Sequence, residues 1–214
     1  MKLNVMTLGR CEYENALDIQ YDILKKRQDG YIEDTLILVE HLPVITLGRR
    51  AEKSNIIGSE KLLEDSGIKI YQTNRGGDVT YHGLGQIVGY PIFNLKKMHI
   101  GIRKFVRNIE EVFIRLLKDK YNIDAERNQE HTGVWVNNNK IVAIGLAVKK
   151  GVTMHGFSFN VNSNLDHFKL IVPCGISDKG VTSIERILGK TVDFHEANQY
   201  VIEYFSKIFN QDHL

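Results

Sequence analysis

The 214-residue sequence has little proline, cysteine or tryptophan, with 3, 2 and 1 residues respectively. Its two cysteines, Cys11 and Cys174, lie far apart without metal-type spacing, which argues against a disulfide framework and against a zinc site. No apolar run approaches the ~18 residues that span a bilayer. The amino-terminal segment has no secretory hydrophobic region or cleavage site. These absences predict a cytoplasmic protein without a membrane partner.

The chain also lacks a strong charge of either sign, since 28 basic residues face 26 acidic ones for a formal net charge of +2. Binding to nucleic acid normally requires a concentrated basic face, so no nucleic-acid partner is predicted. Basic pairs at 49–50, 96–97 and 149–150 are compatible with solvated ends of elements or with steering of an acidic protein partner. At 43% hydrophobic residues, the length predicts one α/β domain over residues 1–214.

Hydrophobic periodicity predicts both helices and strands. Helices are predicted at 14–27, around 62–63, at 102–121, and after a capping box formed by Asp193 and Glu196. Strands are predicted at 35–40, 44–48, 68–73, 133–137, 140–149 and 152–162. Turn residues join the last three strands into an antiparallel meander, so the sheet cannot be purely parallel.

The segment 102–121 is the clearest amphipathic helix in the sequence. Its predicted apolar face consists of Ile102, Phe105, Ile109, Val112, Leu116 and Leu117. Its predicted solvent face carries Lys104, Glu110, Glu111 and Lys118.

A glycine-rich stretch at residues 75–86 has four glycines in twelve positions and lies between two strand-like runs. Glycine is usually retained where φ is positive or where a backbone must approach another group closely. The stretch has neither the phosphate-loop pattern nor the dinucleotide-binding glycine spacing. It therefore predicts a loop that lines a site.

This stretch, Arg-Gly-Gly-Asp-Val-Thr-Tyr-His-Gly-Leu-Gly-Gln, resembles the signature of the lipoate-protein ligase B family, the octanoyl-[carrier protein]:protein octanoyltransferases. Segments 139–145, 155–161 and 172–176 resemble the other blocks of that family in the same order, over about residues 35 to 190. Leu84 stands where the family has proline, which predicts a less rigid loop, and Ser158 stands where alanine is common. The resemblance implies the fold of the biotin/lipoyl protein ligase catalytic module, a mixed, mostly antiparallel sheet packed by helices.

Two residues are candidates for covalent chemistry. A free cysteine is more often a small buried hydrophobe than a nucleophile, but the resemblance assigns the nucleophile to Cys174, within Pro-Cys-Gly. A lysine at the start of a strand usually extends into solvent, but the resemblance assigns the catalytic lysine to Lys140. An ammonium beside the thiol would favour the thiolate, and the lysine could pass protons in both directions. Cys11 has no candidate base nearby in the sequence and is predicted to be inert.

The resemblance also implies an acyl-binding surface. It consists of Arg75, Gly76, Gly77, Asp78, Val79, Thr80, Tyr81, His82, Ala143, Ile144, Gly145, Gly156, Phe157 and Ser158. His82 is predicted to shape this pocket or bind substrate, with a role as base as the alternative. Arg75 is predicted to hold the loop through backbone carbonyls, with recognition of an anion as the alternative. His155 is predicted to be structural.

Three function classes are open, the first of them implied by the resemblance. The first is transfer of an octanoyl group from acyl carrier protein, through a Cys174 thioester, to a lysine of a lipoyl domain. Acceptors implied by the resemblance are the E2 subunits of 2-oxoacid dehydrogenases and the glycine-cleavage H protein, and no cofactor, ATP or metal is expected. The second is ATP-dependent lipoate- or biotin-type protein ligation, and the third is a non-enzymatic acyl-binding module. The combination of the Cys174 and Lys140 blocks favours the first.

Overall fold

The computed structural model describes residues 3–172 and 180–209, which form a mixture of strands and helices. The strands are β1 (Asn4–Cys11), β2 (Thr35–His41), β3 (Val44–Leu47), β4 (Lys69–Gln72), β5 (Val79–His82), β6 (Gln86–Ile92), β7 (Glu126–Arg127), β8 (Val134–Val136), β9 (Asn139–Lys149), β10 (Val152–Asn160) and β11 (Gly180–Val181). The α-helices are α1 (Tyr13–Gln28), α2 (Glu60–Asp65), α3 (Ile102–Tyr121), α4 (Ile184–Leu188) and α5 (Phe194–Phe209). Two 3-10 helices lie at Lys53–Asn55 and Leu165–Leu170.

The main sheet has the order β1-β2-β6-β10-β9-β8-β7. Its pairs are antiparallel except for β1 with β2 and for the short β11, which runs parallel to β9. β10 ends its pairing with β9 at Val142, and β11 pairs with β9 at Asn139 and Lys140. β8 pairs with the same two residues along the opposite edge of β9. β11 therefore lies along the edge of β9 that β10 occupies further on, and extends the row of residues that β10 begins. The mixed, mostly antiparallel sheet expected from the sequence is confirmed.

A second sheet of three strands has the order β4-β3-β5, with β3 parallel to β4 and antiparallel to β5. Its buried side chains form a core of their own with Leu63 of α2 and Phe168 of the second 3-10 helix. The glycine loop (residues 75–78) joins this small sheet to the main one, because the Gly76 N–H donates to the carbonyl of Leu146 in β9 at 2.8 Å.

Strand alternation divides the main sheet into two buried faces. In β2, Leu36 and Leu38 face the core under α3 and α5, whereas Ile37 and Val39 face the core under α1. Since both faces are covered, β2 and β6 are buried along almost their whole length. None of the helices in residues 3–172 and 180–209 is long and apolar enough to cross a membrane.

The helix α3 has the predicted bounds, but the sequence pattern assigned two of its side chains to the wrong face. Ile102, predicted on the apolar face, is 39% exposed because it is the first residue of the helix. Glu110, predicted in solvent, is only 5% exposed. It accepts a hydrogen bond from the Gly133 N–H at 3.2 Å and pairs with Arg127 at 3.3 Å. A buried carboxylate is tolerated there because both partners compensate its lost hydration.

Candidate active site

A cavity of about 100 Å³ lies between the main sheet and the small sheet. Its walls come from β5, β6, β9, β10 and the glycine loop, with Tyr13 at the start of α1. The predicted site residues that line it are Arg75, Gly77, Asp78, Val79, Thr80, His82, Lys140, Ala143, Ile144, Gly145, Gly156, Phe157 and Ser158. Three segments that are far apart in the chain therefore contribute to one cavity.

Two residues of the predicted acyl-binding surface are not among those that line the cavity. Gly76 contacts β9 through its backbone, as described above. The Tyr81 hydroxyl hydrogen-bonds to His167 at 2.7 Å, and its ring packs against Phe168. The side chain of Tyr81 is thus engaged by the 3-10 helix Leu165–Leu170. The assignment of Tyr81 to the acyl-binding surface remains a prediction, and its ring packs against Phe168, which does line the cavity.

Arg75 holds the glycine loop, as the sequence predicted. Its guanidinium donates to the Thr46 carbonyl at 2.7 Å and to the Gly76 carbonyl at 3.1 Å, and the residue is 8% exposed. Gly145 is matched to this loop, because an added Cβ would lie 2.8 Å from the Gly76 oxygen. The missing side chain at Gly145 thus permits the loop backbone to pack directly on β9.

Asp78 connects the glycine loop to the chain that leads to Cys174. Its two carboxylate oxygens each accept a hydrogen bond from the Asn55 side-chain amide at 2.9 Å. The Asn55 carbonyl in turn accepts from the Val172 N–H at 2.8 Å. Asn55, which the sequence reasoning missed, therefore fixes the described end of that segment relative to the cavity wall.

His82 is buried and neutral. Burial, together with the nearby His41 ring, lowers its pKa to about 3. Its Nδ1 lies 2.8 Å from Gln86 Oε1, and Gln86 donates through its NH₂ group to Asn160 Oδ1 at 2.9 Å. Because the amide oxygen can only accept, Nδ1 carries the proton and Nε2 is an acceptor. Such an imidazole suits the predicted role of shaping the pocket, because a pKa of about 3 makes it a weak base.

The end of the cavity beside β6 and α1 contains aromatic residues that were not predicted from the sequence. Tyr13 and Tyr90 line it and are 2% and 3% exposed. The Tyr90 hydroxyl lies 2.6 Å from Nε2 of His41, whose Nδ1 lies 3.0 Å from the Cys11 carbonyl. Since the carbonyl can only accept, His41 donates through Nδ1 and Tyr90 donates to Nε2. Burial lowers the pKa of His41 to about 4, so its imidazole is neutral at neutral pH.

His155 is buried, as predicted for a structural residue, but it also lines this end of the cavity. Its backbone has φ +55°, and its N–H donates to Gln20 Oε1 at 3.0 Å. Nε2 hydrogen-bonds to Asn74 at 2.6 Å, directly before the glycine loop. Burial, followed by the charge of Arg75, lowers the pKa of His155 to about 3.

Lys140 lines the cavity from β9 and is half-buried. Its Nζ lies 4.7 Å from the centroid of the Trp135 ring. Its carbonyl accepts from the Thr182 N–H at 3.0 Å, and Val181, which also lines the cavity, is its partner in β11. The main-chain position of Lys140 is therefore fixed between β8 and β11.

Cys174, the predicted nucleophile, lies outside the described residues. The two described residues that bracket its segment are Val172, bonded to Asn55, and Gly180, paired with Asn139. Asn139 precedes Lys140, and Asn55 contacts the cavity residue Asp78. Both ends of the segment are thus attached to elements that form the cavity.

Turn residues 83–85 precede β6, and Leu84, which replaces the proline of the family pattern, is 43% exposed. The Gly85 N–H donates to Glu40 at 2.8 Å, and its carbonyl accepts from the Val161 and Asn162 N–H groups. These bonds fasten the turn without a proline.

Comparison with known proteins places this geometry in a family. Residues 12–206 match the model of the lipoyl protein ligase A/B catalytic domain. An octanoyltransferase of Alkaliphilus metalliredigens is 66% identical, over 99% of this chain and 97% of the relative. An octanoyltransferase of Caldicellulosiruptor bescii is 55% identical, over 99% and 93%. The chain belongs to the octanoyltransferase family. The family and enzyme class expected from the sequence motifs are confirmed.

The fold of this octanoyltransferase is shared with ATP-using enzymes. A lipoate-protein ligase A structure bound with ATP has a TM-score of 0.79 at 17% identity, covering 98% of this chain and 86% of the ligase. At that identity the likeness shows the fold alone. It confirms the predicted ligase-type module. The distinction between ATP-dependent ligation and acyl transfer must therefore be argued from the site residues.

Proposed function

We propose that this enzyme transfers an octanoyl group by a covalent route, with Cys174 as the acyl carrier and Lys140 as the proton carrier. The observation that supports this most strongly is the position of Lys140 at a cavity lined by the motif segments 75–86, 139–145 and 155–161. β11, the first described element after Cys174, pairs with the Lys140 main chain. A nearby cation increases the thiolate fraction of a cysteine at neutral pH, and Lys140 is the lysine that lines the cavity among residues 3–172 and 180–209.

In the first step, the Cys174 thiolate attacks the carbonyl carbon of an octanoyl thioester. The bond from that carbon to the donor sulfur breaks, and the donor thiolate takes a proton from the Lys140 ammonium. The products are octanoyl-Cys174, a free donor thiol and a neutral lysine. A neutral lysine is the form that the second step requires.

In the second step, the ε-amine of the acceptor lysine attacks octanoyl-Cys174. Lys140 removes a proton from the attacking nitrogen, the carbon–sulfur bond breaks, and an amide forms. Cys174 leaves as a thiolate beside a recharged Lys140, which restores the starting state. Conversion of a thioester to an amide is downhill, so the route uses no ATP.

Both steps pass through a tetrahedral oxyanion, which preorganised N–H groups stabilise. In the glycine loop, the Gly77 and Asp78 N–H groups have no hydrogen-bond partner among residues 3–172 and 180–209. Both residues line the cavity, and Gly77 has φ +92°. We assign these two N–H groups to the oxyanion.

Partners follow from the same proposal. The donor is octanoyl-acyl carrier protein, and the acceptors are lipoyl domains of 2-oxoacid dehydrogenase E2 subunits and the glycine-cleavage H protein. An archaeal bi-partite lipoate protein ligase shares this fold, with a TM-score of 0.76 at 16% identity. Its structural analysis also covers its E2 lipoyl domain. Because these donors and acceptors function in bacterial metabolism inside the cell, we propose the cytoplasm as the location.

One experiment distinguishes the ATP-dependent alternative from covalent transfer through Cys174. Intact-protein mass spectrometry after incubation with an octanoyl thioester should show a mass increase of one octanoyl group without ATP. Hydroxylamine should remove it, because it cleaves thioesters. Modification that requires ATP and free octanoate would instead indicate ligation, and the absence of any acyl adduct would indicate a binding module.

The cavity also predicts a chain-length effect. If the acyl chain extends from Lys140 on β9 across β10 toward β6, its terminal carbons meet Tyr90. Tyr90→Leu should then favour decanoyl over octanoyl thioesters, because each buried methylene contributes about 0.8 kcal/mol, or about four-fold in rate. Transfer rates for butanoyl to dodecanoyl thioesters measure this. Tyr71→Leu is the control, because Tyr71 packs on Tyr13 at 5.3 Å without lining the cavity. An unchanged profile in Tyr90→Leu would show that the chain end lies elsewhere.

A further inference from the structure

The only tryptophan in the chain is next to the lysine on which the proposed function depends. Trp135 is 3% exposed, and the Lys140 ammonium nitrogen lies 4.7 Å from its ring centroid. The indole N–H donates to the His131 carbonyl at 3.1 Å, which fixes the plane of the ring. A cation at this distance from an aromatic face is attracted by the ring quadrupole.

A shift in strand register produces this contact. Val134 pairs with Val142, so a regular antiparallel ladder would place Trp135 opposite Ile141. The ladder instead slips by one residue, and Trp135 pairs with Lys140. Directly opposite residues have their side chains on the same side of a sheet. The irregularity allows Ile141 and Val142 both to be fully buried while Lys140 turns toward the cavity. Bulges often reorient a side chain in this way next to active sites.

The stem of Lys140 lies against a glycine. Gly133 has φ +132°, and a Cβ there would lie 2.5 Å from the Val142 carbonyl oxygen and 3.4 Å from Cδ and Cε of Lys140. The Gly133 N–H is held by the buried Glu110 carboxylate at 3.2 Å. Lys140 therefore has a defined backbone on one side and an indole face on another, and its side chain is confined.

We propose that Trp135 is a positioning residue that keeps Lys140 charged and directed into the cavity between turnovers. The inference rests on the proposed function, in which Lys140 supplies the proton and stabilises the Cys174 thiolate. The ring attracts the ammonium but not the neutral amine. It therefore favours the charged form of Lys140. It also limits the rotamers from which the proton is delivered.

Alkylation of the cysteine thiol tests this directly. In a Cys11→Ser background, iodoacetamide reports on Cys174 alone, and its rate against pH follows the thiolate. Trp135→Leu should move that pH profile to higher pH and lower octanoyl transfer by about two- to thirty-fold. Trp135→Phe, which retains a ring, should recover part of both effects. Tyr200→Leu is the matched control, because it removes a similar contact with Lys120, at 4.4 Å, far from the cavity.

A second measurement does not depend on the fold of the Trp135 variants. The His131 ring also faces the indole, with its centroid 6.2 Å away, so the two proteins compared, with Lys140 and with Lys140→Met, both carry His131→Gln to remove this second titratable neighbour. Because the chain has one tryptophan, its fluorescence should then follow the charge of Lys140, changing with pH when Lys140 is present and not in Lys140→Met. Wild-type alkylation and transfer in Trp135→Leu, or identical fluorescence titrations with Lys140 and with Lys140→Met, would overturn the inference. Absence of any octanoyl adduct on the wild type would instead reject the proposed function, so the two failures are distinguishable.

Discussion

Cys174→Ser is expected to abolish octanoyl transfer, with a loss of at least about a thousand-fold. A serine hydroxyl is a much weaker nucleophile than a thiolate at neutral pH and requires an adjacent strong base. The neighbouring cation proposed here stabilises an anion that a hydroxyl does not form. Transfer of the octanoyl group from acyl carrier protein to a lipoyl domain, followed by mass spectrometry of the acceptor, measures the loss.

Cys11→Ser is the control for this experiment and should retain nearly all activity. Cys11 lies at the end of β1, does not line the cavity, and its sulfur donates to the Glu12 carbonyl at 3.3 Å. Burial raises the pKa of its thiol, which keeps it protonated. If Cys174→Ser kept most of the wild-type rate, a covalent route through Cys174 would be wrong.

Local pattern predicted the secondary structure best where a periodic segment also has a clear end. The helix α3 spans 102–121, as predicted, because its apolar repeat ends at Asn122, whose left-handed conformation terminates it. The strands of the meander, β8 to β10, were predicted to within two residues, because residues 137–139 and 150–151 are turn formers. The antiparallel pairing of these strands follows from those short turns and is confirmed.

Elements that depend on distant partners were not predicted. β1 alternates exposed and half-buried residues and forms only because β2, about thirty residues later, pairs with it in parallel. β5 lies inside the glycine-rich stretch, which was predicted to be a loop, and is a strand because β3 pairs with it. The division into two sheets, with a cavity between them, therefore required contacts that no local pattern records.

The site residues divide in the same way, into those that local motifs predicted and those that only distant contacts bring to the site. Motif residues on β9, β10 and the glycine loop line the cavity, since each block supplies small residues at a wall. Tyr13, Tyr90 and Trp135 lie outside the residues assigned from the motifs. Trp135 in particular reaches Lys140 through a register slip that cannot be read from residue types. Tyr90 gave the one local signal for these residues. It is a tyrosine within an otherwise apolar strand, and a buried hydroxyl needs a hydrogen-bond partner, so its position indicates a polar contact inside the core.

Replacement of Lys140 should separate its charge from its ability to move a proton. Arginine keeps a cation beside the cysteine but remains protonated at accessible pH. Lys140→Arg is therefore expected to retain part of the fast alkylation of Cys174 while octanoyl transfer falls by at least about a hundred-fold, the usual contribution of a proton-transferring group. Lys140→Ala should lose both, because it also removes the cation.

Both Cys174 alkylation and octanoyl transfer are measured in a Cys11→Ser background. The rate of iodoacetamide alkylation at neutral pH reports the thiolate, and the rate of octanoyl transfer to a lipoyl domain reports turnover. Lys120→Ala serves as the control, because Lys120 makes its own ring contact with Tyr200 at 4.4 Å and does not line the cavity. Acylation should also stop at different stages, since Lys140→Arg can still form octanoyl-Cys174 slowly but cannot deprotonate the acceptor lysine. Accumulation of that thioester in Lys140→Arg, and not in Lys140→Ala, would identify the second step as the one that most requires a neutral amine. Near-normal turnover in both variants would remove Lys140 from the mechanism.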